Sequence, residues 1–230
     1  MREEGGLPTL RRVSLIRDNI ESIRERIARA AARAGRAGDD VQLIAVTKTV
    51  PPEGIEEALA AGVTLFGESK VQEARAKIPV VSGRARWHMI GHLQSNKARD
   101  AVAMFEAIHS VDSVKLASEL NKCADNDGKT QAVLLEINVS GEASKFGLKS
   151  DDVEAALAQI NAMPRLEVQG LMTIPPAGKD ARPFFRQLRE LRDRLGLREL
   201  SMGMSYDFEV AIEEGATMVR IGSAIFGERQ

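Results

Sequence analysis

The feature that most constrains the fold of this 230-residue chain is a regular alternation of short apolar segments with stretches of helical periodicity. The first segment, 41–47, is almost unbroken and rich in β-branched residues, which is typical of a strand buried on both faces. Strands that alternate with helices pair in parallel through right-handed crossovers. The predicted strands are 41–47, 63–66, 86–90, 105–110, 131–139, 166–171, 199–201 and 217–221. This α/β pattern predicts a closed (β/α)8 TIM barrel.

An open, doubly wound sheet is the alternative arrangement of the same elements. It is disfavoured because its Gly-x-Gly-x-x-Gly turn is missing after the first strand. Ahead of the barrel, apolar residues recur every three or four positions from Leu10 to Ala34, which predicts an extra N-terminal helix within 1–37. Arginines interspersed with acids on its other face favour solvent exposure. With no break in composition, we expect a single domain over 1–230 whose barrel occupies 41–230.

Composition limits the classes of partner and the compartment. The formal net charge of −1 gives no general attraction to nucleic acid or to an anionic membrane. Cys123 is the only cysteine, which excludes a disulfide framework and favours the reducing cytoplasm. No apolar run approaches the ~20 residues that span a bilayer. Acidic residues near the N-terminus argue against a targeting segment.

Polar residues collect where the predicted strands end, and in a barrel these positions meet at one rim. Lys48 ends the first strand, at the rim where barrel enzymes keep their chemistry. The alternative is that its ammonium simply reaches water from the strand end. His88 and His92 are four residues apart but are separated by a strand end and a glycine loop, so we do not expect a metal site.

Two loops carry residues suited to binding an anion. Ser201-Met-Gly-Met-Ser205 leads from the seventh strand into a helix, and Arg220-Ile-Gly222-Ser223 does the same after the eighth. Helix starts with small hydroxyl side chains favour phosphate, and barrel phosphate sites often use these two loops. Ordinary helix capping by the two hydroxyls is the alternative. A lysine opposite a phosphate site suggests a ligand with both an aldehyde and a phosphate, such as pyridoxal 5′-phosphate (PLP).

Read together, the motifs along the chain resemble one family. They are Ala45-Val-Thr-Lys48, Phe66-Gly-Glu68, Trp87-His-Met-Ile-Gly91, Leu93-Gln-Ser-Asn-Lys97, Ile137-Asn-Val-Ser140, Lys145-Phe-Gly147, Gly170-Leu-Met-Thr-Ile-Pro175, Ser201-Met-Gly-Met-Ser205 and Val219-Arg-Ile-Gly222. In this order they closely resemble the pyridoxal phosphate homeostasis protein family. The resemblance implies a single fold-type III barrel similar to the N-terminal domain of alanine racemase, in a monomeric, cytoplasmic protein.

The same resemblance implies residue roles toward PLP. It implies a Schiff base on Lys48 and Arg220 facing the pyridine nitrogen. The implied phosphate contacts are Ser201, Ser205, Gly222 and Ser223, and the implied pocket lining is Asn96 and Met172. The sequence departs from the family's common pattern at two places, since Ser69-Lys70 stands where Asn-Tyr is common, and Val50 where a second rim lysine is common.

The implied function is homeostasis of the vitamin B6 cofactor, by binding, buffering or delivering PLP to apoenzymes that require it. Efficient catalysis is not expected, because racemisation needs a second base and an open pocket weakens electrostatic devices. A fold-type III racemase or decarboxylase of low activity is the alternative. A barrel that binds another phosphorylated metabolite without a covalent bond is a third hypothesis. For Arg220, the structural alternative is an ion pair with Glu68 or Glu228.

Overall fold

The computed structural model of the chain describes residues 8–142 and 145–227. Its strands are β1 Gln42–Val46, β2 Leu65–Glu68, β3 Arg86–Met89, β4 Ala107–Val111, β5 Gln131–Asn138, β6 Leu148–Lys149, β7 Leu166–Met172, β8 Glu199–Ser201 and β9 Met218–Ile221. Its α-helices are α1 Pro8–Arg33, α2 Pro52–Ala60, α3 Val71–Lys77, α4 Ala98–Met104, α5 Val114–Asn126, α6 Val153–Asn161, α7 Arg182–Arg194, α8 Phe208–Glu213 and α9 Ser223–Phe226.

The strands close into a parallel barrel. Around it the order is β1-β2-β3-β4-β5-β7-β8-β9, and β9 returns to β1. Pairing of β4 with β5 removes the open edge that a doubly wound sheet would have. The predicted (β/α)8 barrel is therefore confirmed. The two-residue β6, which the sequence did not predict, pairs only with the end of β5.

Alternation along each strand divides the side chains between two environments. On β5, Val133, Leu135 and Ile137 belong to the large apolar core between the strands and the helices. Residues of the other parity face the inside of the barrel, where Ile44, Leu65 and Met218 form a small separate cluster. The open ends of the barrel are called here the C-terminal mouth and the N-terminal mouth, after the strand ends that form them.

Helix α1 packs against the outside of the barrel. Its buried stripe includes Ile20 and Ile23, which are almost fully shielded from solvent. The arginine-bearing face is exposed, as the sequence predicts. Arg24 on that face donates hydrogen bonds to the carbonyls of Ala61 and Gly62 at the end of α2, at 3.1 and 2.7 Å. The helix is thus held to the barrel by apolar packing and by capping of a neighbouring helix.

In the part of the chain that the structure describes, no helix combines the length and the hydropathy needed to cross a membrane.

Candidate functional site

Lys48 lies in the turn that follows β1, at the C-terminal mouth. The next residue, Thr49, has φ of 63°, a left-handed conformation that β-branched residues rarely adopt. The turn is closed by the Val50 N–H, which donates to the Thr47 carbonyl at 2.8 Å. Among the described residues, nothing forms a hydrogen bond or ion pair with the half-buried Lys48 ammonium. That amine is therefore available to a ligand at this mouth.

A buried ionic cluster supports the Lys48 turn from both sides. The Lys77 ammonium donates to the Thr47 carbonyl at 2.7 Å and contacts Glu68 Oε1 at 2.7 Å. The Thr49 N–H donates to Glu73 Oε2 at 3.0 Å, and the same carboxylate lies 3.2 Å from Lys77. Burial raises the pKa of Glu73, but the Thr49 N–H and the Lys77 charge outweigh it and hold that pKa below its usual value. Charge and backbone bonding together fix the residues that flank Lys48.

Arg220 is the charged group in the interior beneath the C-terminal mouth. Its side chain is buried, with Nη1 donating to Ser201 Oγ at 2.7 Å and Nη2 donating to the Thr173 carbonyl at 2.9 Å. Burial lowers the pKa of Arg220 to about 10, with the carboxylates of Glu136 and Asp207 opposing the change. The guanidinium therefore stays positively charged at neutral pH.

The structural alternative for Arg220 does not hold within the described residues. Glu68 pairs with Lys77 instead, on the outer side of the strands. The other suggested acid, Glu228, lies outside the described residues. The guanidinium donates its hydrogen bonds to the neutral oxygens of Ser201 and Thr173. Among the described residues no carboxylate forms a salt bridge with it, so its positive charge can act on a ligand at the C-terminal mouth.

A line of hydrogen bonds leads from Arg220 through the barrel interior. His109 Nδ1 lies 2.8 Å from Ser201 Oγ, and His109 Nε2 lies 2.9 Å from His88 Nδ1. Burial lowers the pKa of His88 to about 4. Burial also lowers the pKa of His109 well below its ordinary value, and the charges of His88 and Arg220 act in the same direction. Both imidazoles are therefore neutral at neutral pH.

The direction of these bonds follows from the donor that begins them. Arginine can only donate, so the Ser201 oxygen accepts from Arg220 and its hydroxyl hydrogen points elsewhere. Ser201 is fully buried, and His109 Nδ1 is the acceptor within reach. His109 then carries its proton on Nε2 and donates to His88 Nδ1. We assign these tautomers from the bonding pattern.

Glu136 is a buried carboxyl near the C-terminal end of β5. Its Oε2 is shielded from solvent and has no hydrogen-bond partner in the described part of the chain. Burial and the Asp112 carboxylate raise the pKa of Glu136 to about 7, against the opposing charge of Arg220. At neutral pH the group is poised between its acid and its anion.

The loops after β8 and β9 approach each other at the same mouth. Ser223 Oγ donates to Ser205 Oγ at 3.2 Å. Gly203 has φ of 91°, and a Cβ there would lie 2.6 Å from the Ala211 side chain, so glycine is needed where this loop turns. A Cβ on Gly222 would lie 3.3 Å from the Val46 carbonyl oxygen, which makes this backbone closely packed against β1.

Neither serine acts as the cap of the helix that follows it. Helix α8 has Asp207 at its N-cap and α9 has Gly222 there, and neither N-cap residue accepts a bond through its own side chain. The Ser205 hydroxyl instead accepts from the Ala224 N–H in the first turn of α9, at 3.5 Å. The first intrahelical bond of α9 is made by Ile225 N to the Gly222 carbonyl at 2.9 Å. Hydroxyls and early helical N–H groups are thus presented together, an arrangement that suits a phosphate.

The structure brings most of the predicted site residues to one mouth but separates Ser201 from the other predicted phosphate contacts. Ser201 points inward to Arg220 and not toward the pair formed by Ser205 and Ser223. Met172 is fully buried beside Ser201 in the sheet. Asn96 is exposed in the short 3-10 turn Ser95–Lys97. No cluster of three metal-ligating side chains occurs among the described residues.

Sequence reasoning missed Glu136 and Lys77, gave His109 no role, and considered His88 only as a possible metal ligand. A signal existed for Glu136, because a single acid stands at an inward position of an otherwise apolar strand. No pattern pointed to Lys77, which looks like any helix-terminal lysine. Its role depends on Glu68, which is nine residues away on the preceding strand.

Comparison with known proteins places the chain in a family. The model of the alanine racemase N-terminal domain family matches residues 19–230. A pyridoxal phosphate homeostasis protein from Aquifex aeolicus is 44% identical over 223 residues, which are 93% of this chain and 98% of that protein. The chain belongs to the pyridoxal phosphate homeostasis protein family.

Solved structures agree with this family assignment. PipY from Synechococcus elongatus was solved without PLP and with PLP bound, with TM-scores of 0.83 and 0.81 and identities of 39% and 38%. Each match covers 92% of this chain and 100% of PipY. Alanine racemase from Clostridium difficile has the same fold, with a TM-score of 0.67 at 15% identity. The match covers 94% of this chain and 57% of the racemase chain.

The two departures from the family's common pattern lie beside Lys48. Val50, where a second lysine is common, is half-buried and packs close to Gly54. The Ser69 N–H donates to Glu68 Oε2 at 3.2 Å, and its backbone lies against Gly91, where a Cβ would clash with it. In this member of the pyridoxal phosphate homeostasis protein family, Val50 packs against the start of α2 and the Ser69 backbone packs against the loop after β3.

Proposed function

We propose that this protein binds PLP and serves homeostasis of the cofactor by holding, buffering and delivering it, without efficient catalysis. The observation that carries the proposal is the pairing, at one barrel mouth, of the Lys48 amine, which has no partner among the described residues, with the hydroxyl pair of Ser205 and Ser223. Relatives named as pyridoxal phosphate homeostasis proteins support it, as does PipY with PLP bound. When bound, PLP supplies an aldehyde that condenses with an amine.

The donor set of this mouth fits such a ligand. Ser205, Ser223 and the backbone around Gly222 would hold the phosphate. Lys48 would take the aldehyde, while Met172 and Asn96 would line the inner and outer parts of the pocket. Ser201 would act on the ligand indirectly, because its hydroxyl accepts a hydrogen bond from Arg220 and orients it.

Arg220 is proposed to keep the ligand chemically quiet. A guanidinium facing the ring nitrogen donates to its lone pair and repels a proton from it. A ring held in this unprotonated form is a poor electron sink, whereas a carboxylate at the same place would favour proton uptake. The bonds to Ser201 and Thr173 hold the guanidinium in position for this role.

A weak racemase or decarboxylase is the second candidate, because the chain shares its fold with alanine racemase. Single-turnover assays with D- and L-amino acids separate the two hypotheses, since only an enzyme would exchange or lose substrate groups at an appreciable rate. For the leading hypothesis, we propose that a monomeric, single-domain protein in the cytoplasm hands the cofactor to apoenzymes that require it.

The test is a spectrum of the purified protein loaded with PLP, before and after borohydride, followed by peptide mapping. Wild-type protein is expected to show a visible band that borohydride removes, with the reduced ligand found on the Lys48 peptide. Lys48→Ala should lose the band but retain weaker binding through the phosphate contacts. Lys97→Ala, at another lysine of this rim, is the matched control and should keep the band. A reducible band of equal stoichiometry in Lys48→Ala would contradict the assignment.

A further inference from the structure

A buried carboxyl oxygen at the C-terminal mouth has no hydrogen-bond partner among the described residues. The described chain has four such side-chain oxygens, on Glu57, Ser110, Gln131 and Glu136. Glu57 is on a helix and Gln131 begins β5 at the opposite end of the barrel, whereas Ser110 lies near the C-terminal end of β4, where a register shift between Ile108 and Val111 interrupts the alternation of side chains. Glu136 is the one carboxyl of the four that is on a strand, at an inward position of β5 beneath the mouth that carries Lys48.

An unpartnered carboxyl in this position costs stability. Buried polar groups are nearly always hydrogen-bonded, because removing them from water without a new partner is unfavourable. Glu136 is 93% shielded, since its relative exposure is 7%. A cost of this kind is typical of sites where a ligand supplies the missing bond.

The surroundings of Glu136 define what it can bind. From β9 it meets the positive charge of Arg220, and from the end of β4 the negative charge of Asp112. From β7 its partner in the sheet is Met172, which carries no charge. A carboxyl between opposite charges can donate from its acid form or accept in its anionic form, so it suits a weakly acidic hydroxyl.

We propose that Glu136 binds the phenolic oxygen of bound PLP. The inference rests on the proposed function and follows from matching polar groups. In that proposal Lys48 takes the aldehyde, the loops after β8 and β9 take the phosphate, and Arg220 takes the ring nitrogen. The polar atom that remains on the ligand is the phenolic oxygen, and the unpartnered carboxyl oxygen of this mouth in the described chain is Glu136 Oε2.

The test compares pyridoxine 5′-phosphate with its 3-deoxy analogue. Both lack the aldehyde, so the bond to Lys48 does not enter, and they differ only in the phenol. Wild-type protein is expected to prefer the phenol-bearing ligand by about ten-fold or more, the effect of one hydrogen bond to an ionisable group. Glu136→Met should reduce this preference to within about two-fold. Glu136→Gln keeps a donor and an acceptor and should retain most of it.

A second readout uses the ligand-free protein. Glu136→Met removes the partnerless carboxyl and is expected to raise the melting temperature while it weakens binding of the phenol. Glu57→Met, which removes the unpartnered carboxyl oxygen on the helix α2, should leave both ligand affinities unchanged. A purely structural role for Glu136 would not move stability and affinity in opposite directions.

Two results would overturn the assignment of Glu136. One is an equal preference for the phenol in wild type and Glu136→Met, and the other is no preference in wild type. Should Glu136→Met not fold, Glu136→Ala, which also has no hydrogen-bonding side chain, decides by the same comparison. If wild-type protein bound neither ligand and gave no visible band with PLP, the proposed function itself would fail, and this inference with it.

Discussion

At the scale of single residues, burial decides which groups beneath the C-terminal mouth are charged. It neutralises His88 and His109 but leaves Arg220 protonated at neutral pH, because even a pKa of about 10 is far above that range. Burial raises the pKa of Glu136 to about 7. The interior therefore presents one fixed positive charge and one adjustable carboxyl to whatever enters.

The pKa of Glu136 gives stability a particular pH dependence. In the unfolded chain a glutamate titrates near 4.3, so between about pH 4.3 and 7 the folded state holds a proton that the unfolded state has lost. Its contribution to stability is full below that window and falls by about 1.4 kcal/mol per pH unit as pH rises through it. Glu136→Gln should therefore gain stability relative to wild type from pH 5 to 7 and then level off.

Denaturant unfolding of both proteins at pH 5, 6, 7 and 8 checks this expectation. The comparison cancels the titration of His88 and His109, which is common to both proteins. A difference in unfolding free energy that stays constant with pH would show that Glu136 titrates normally.

Ser205 belongs to the same scale. Ser205→Ala should weaken PLP about ten- to a hundred-fold, because a hydrogen bond to a charged acceptor contributes roughly 1.5–3 kcal/mol. Backbone donors around Gly222 remain, so binding is expected to persist. Pyridoxal, which lacks the phosphate, is the control ligand in the same titration. Equal losses for both ligands would mean that these loops do not hold the phosphate.

At the scale of elements, the β1 turn depends on charges from β2 and α3. Lys77→Met would leave Glu68 buried without its partner, which costs about 3–5 kcal/mol. The matched control is Lys70→Met. The ion pair of Lys70 with Glu73 is exposed and contributes about 1 kcal/mol or less to the free energy of unfolding. Urea unfolding of the two variants measures both costs. Similar small losses would show that the cluster does not support the turn.

The same scale shows where sequence patterns succeed and where they stop. Strand and helix positions could be predicted closely, because burial on both faces produces apolar runs such as that of β1. The N-cap residue of α5 could not be predicted, since Asp112 and Ser113 are both of types favoured at that position. The structure selects Ser113, whose hydroxyl accepts from the Leu116 N–H at 3.2 Å, while Asp112 accepts from Ser113.

The site could be predicted as a set of residues but not as a bonded arrangement. Ser201 and Ser205 belong to one motif, yet the turn at Gly203 sends them to different places. Ser201 faces inward as part of β8, whereas Ser205 lies beyond the turn beside Ser223. The hydrogen-bond partners of these two serines lie on other elements, distant in the sequence, so the local sequence does not predict them.

At the scale of the whole molecule, α1 behaves as part of the barrel's core. Ile20 on this helix is fully buried, so Ile20→Ala should cost about 2–5 kcal/mol. Leu15→Ala is the control on the same helix, since Leu15 is 55% exposed, and should change stability by about 0.5 kcal/mol or less. Urea unfolding followed by Trp87 fluorescence and by circular dichroism measures both.

The two signals also test the proposal of a single domain over 1–230. Coincident transitions in wild type and in both variants are expected if the helix and barrel unfold together. A helical signal lost before the Trp87 signal changes would show that α1 is a separate unit.

The line of hydrogen bonds from Arg220 to His88 offers a way to detect a ligand at one mouth of the barrel from the other mouth. His88, at its far end, lines a cavity of about 260 Å³ at the N-terminal mouth, together with Arg86 and Glu106. Hydrogen bonds through Ser201 and His109 connect Arg220 to His88 at that cavity, so we expect a change in the bonding of Arg220 to alter the two imidazoles. Nitrogen resonances of the two imidazoles would then report on the occupancy of one mouth from the other, with no added label on the ligand.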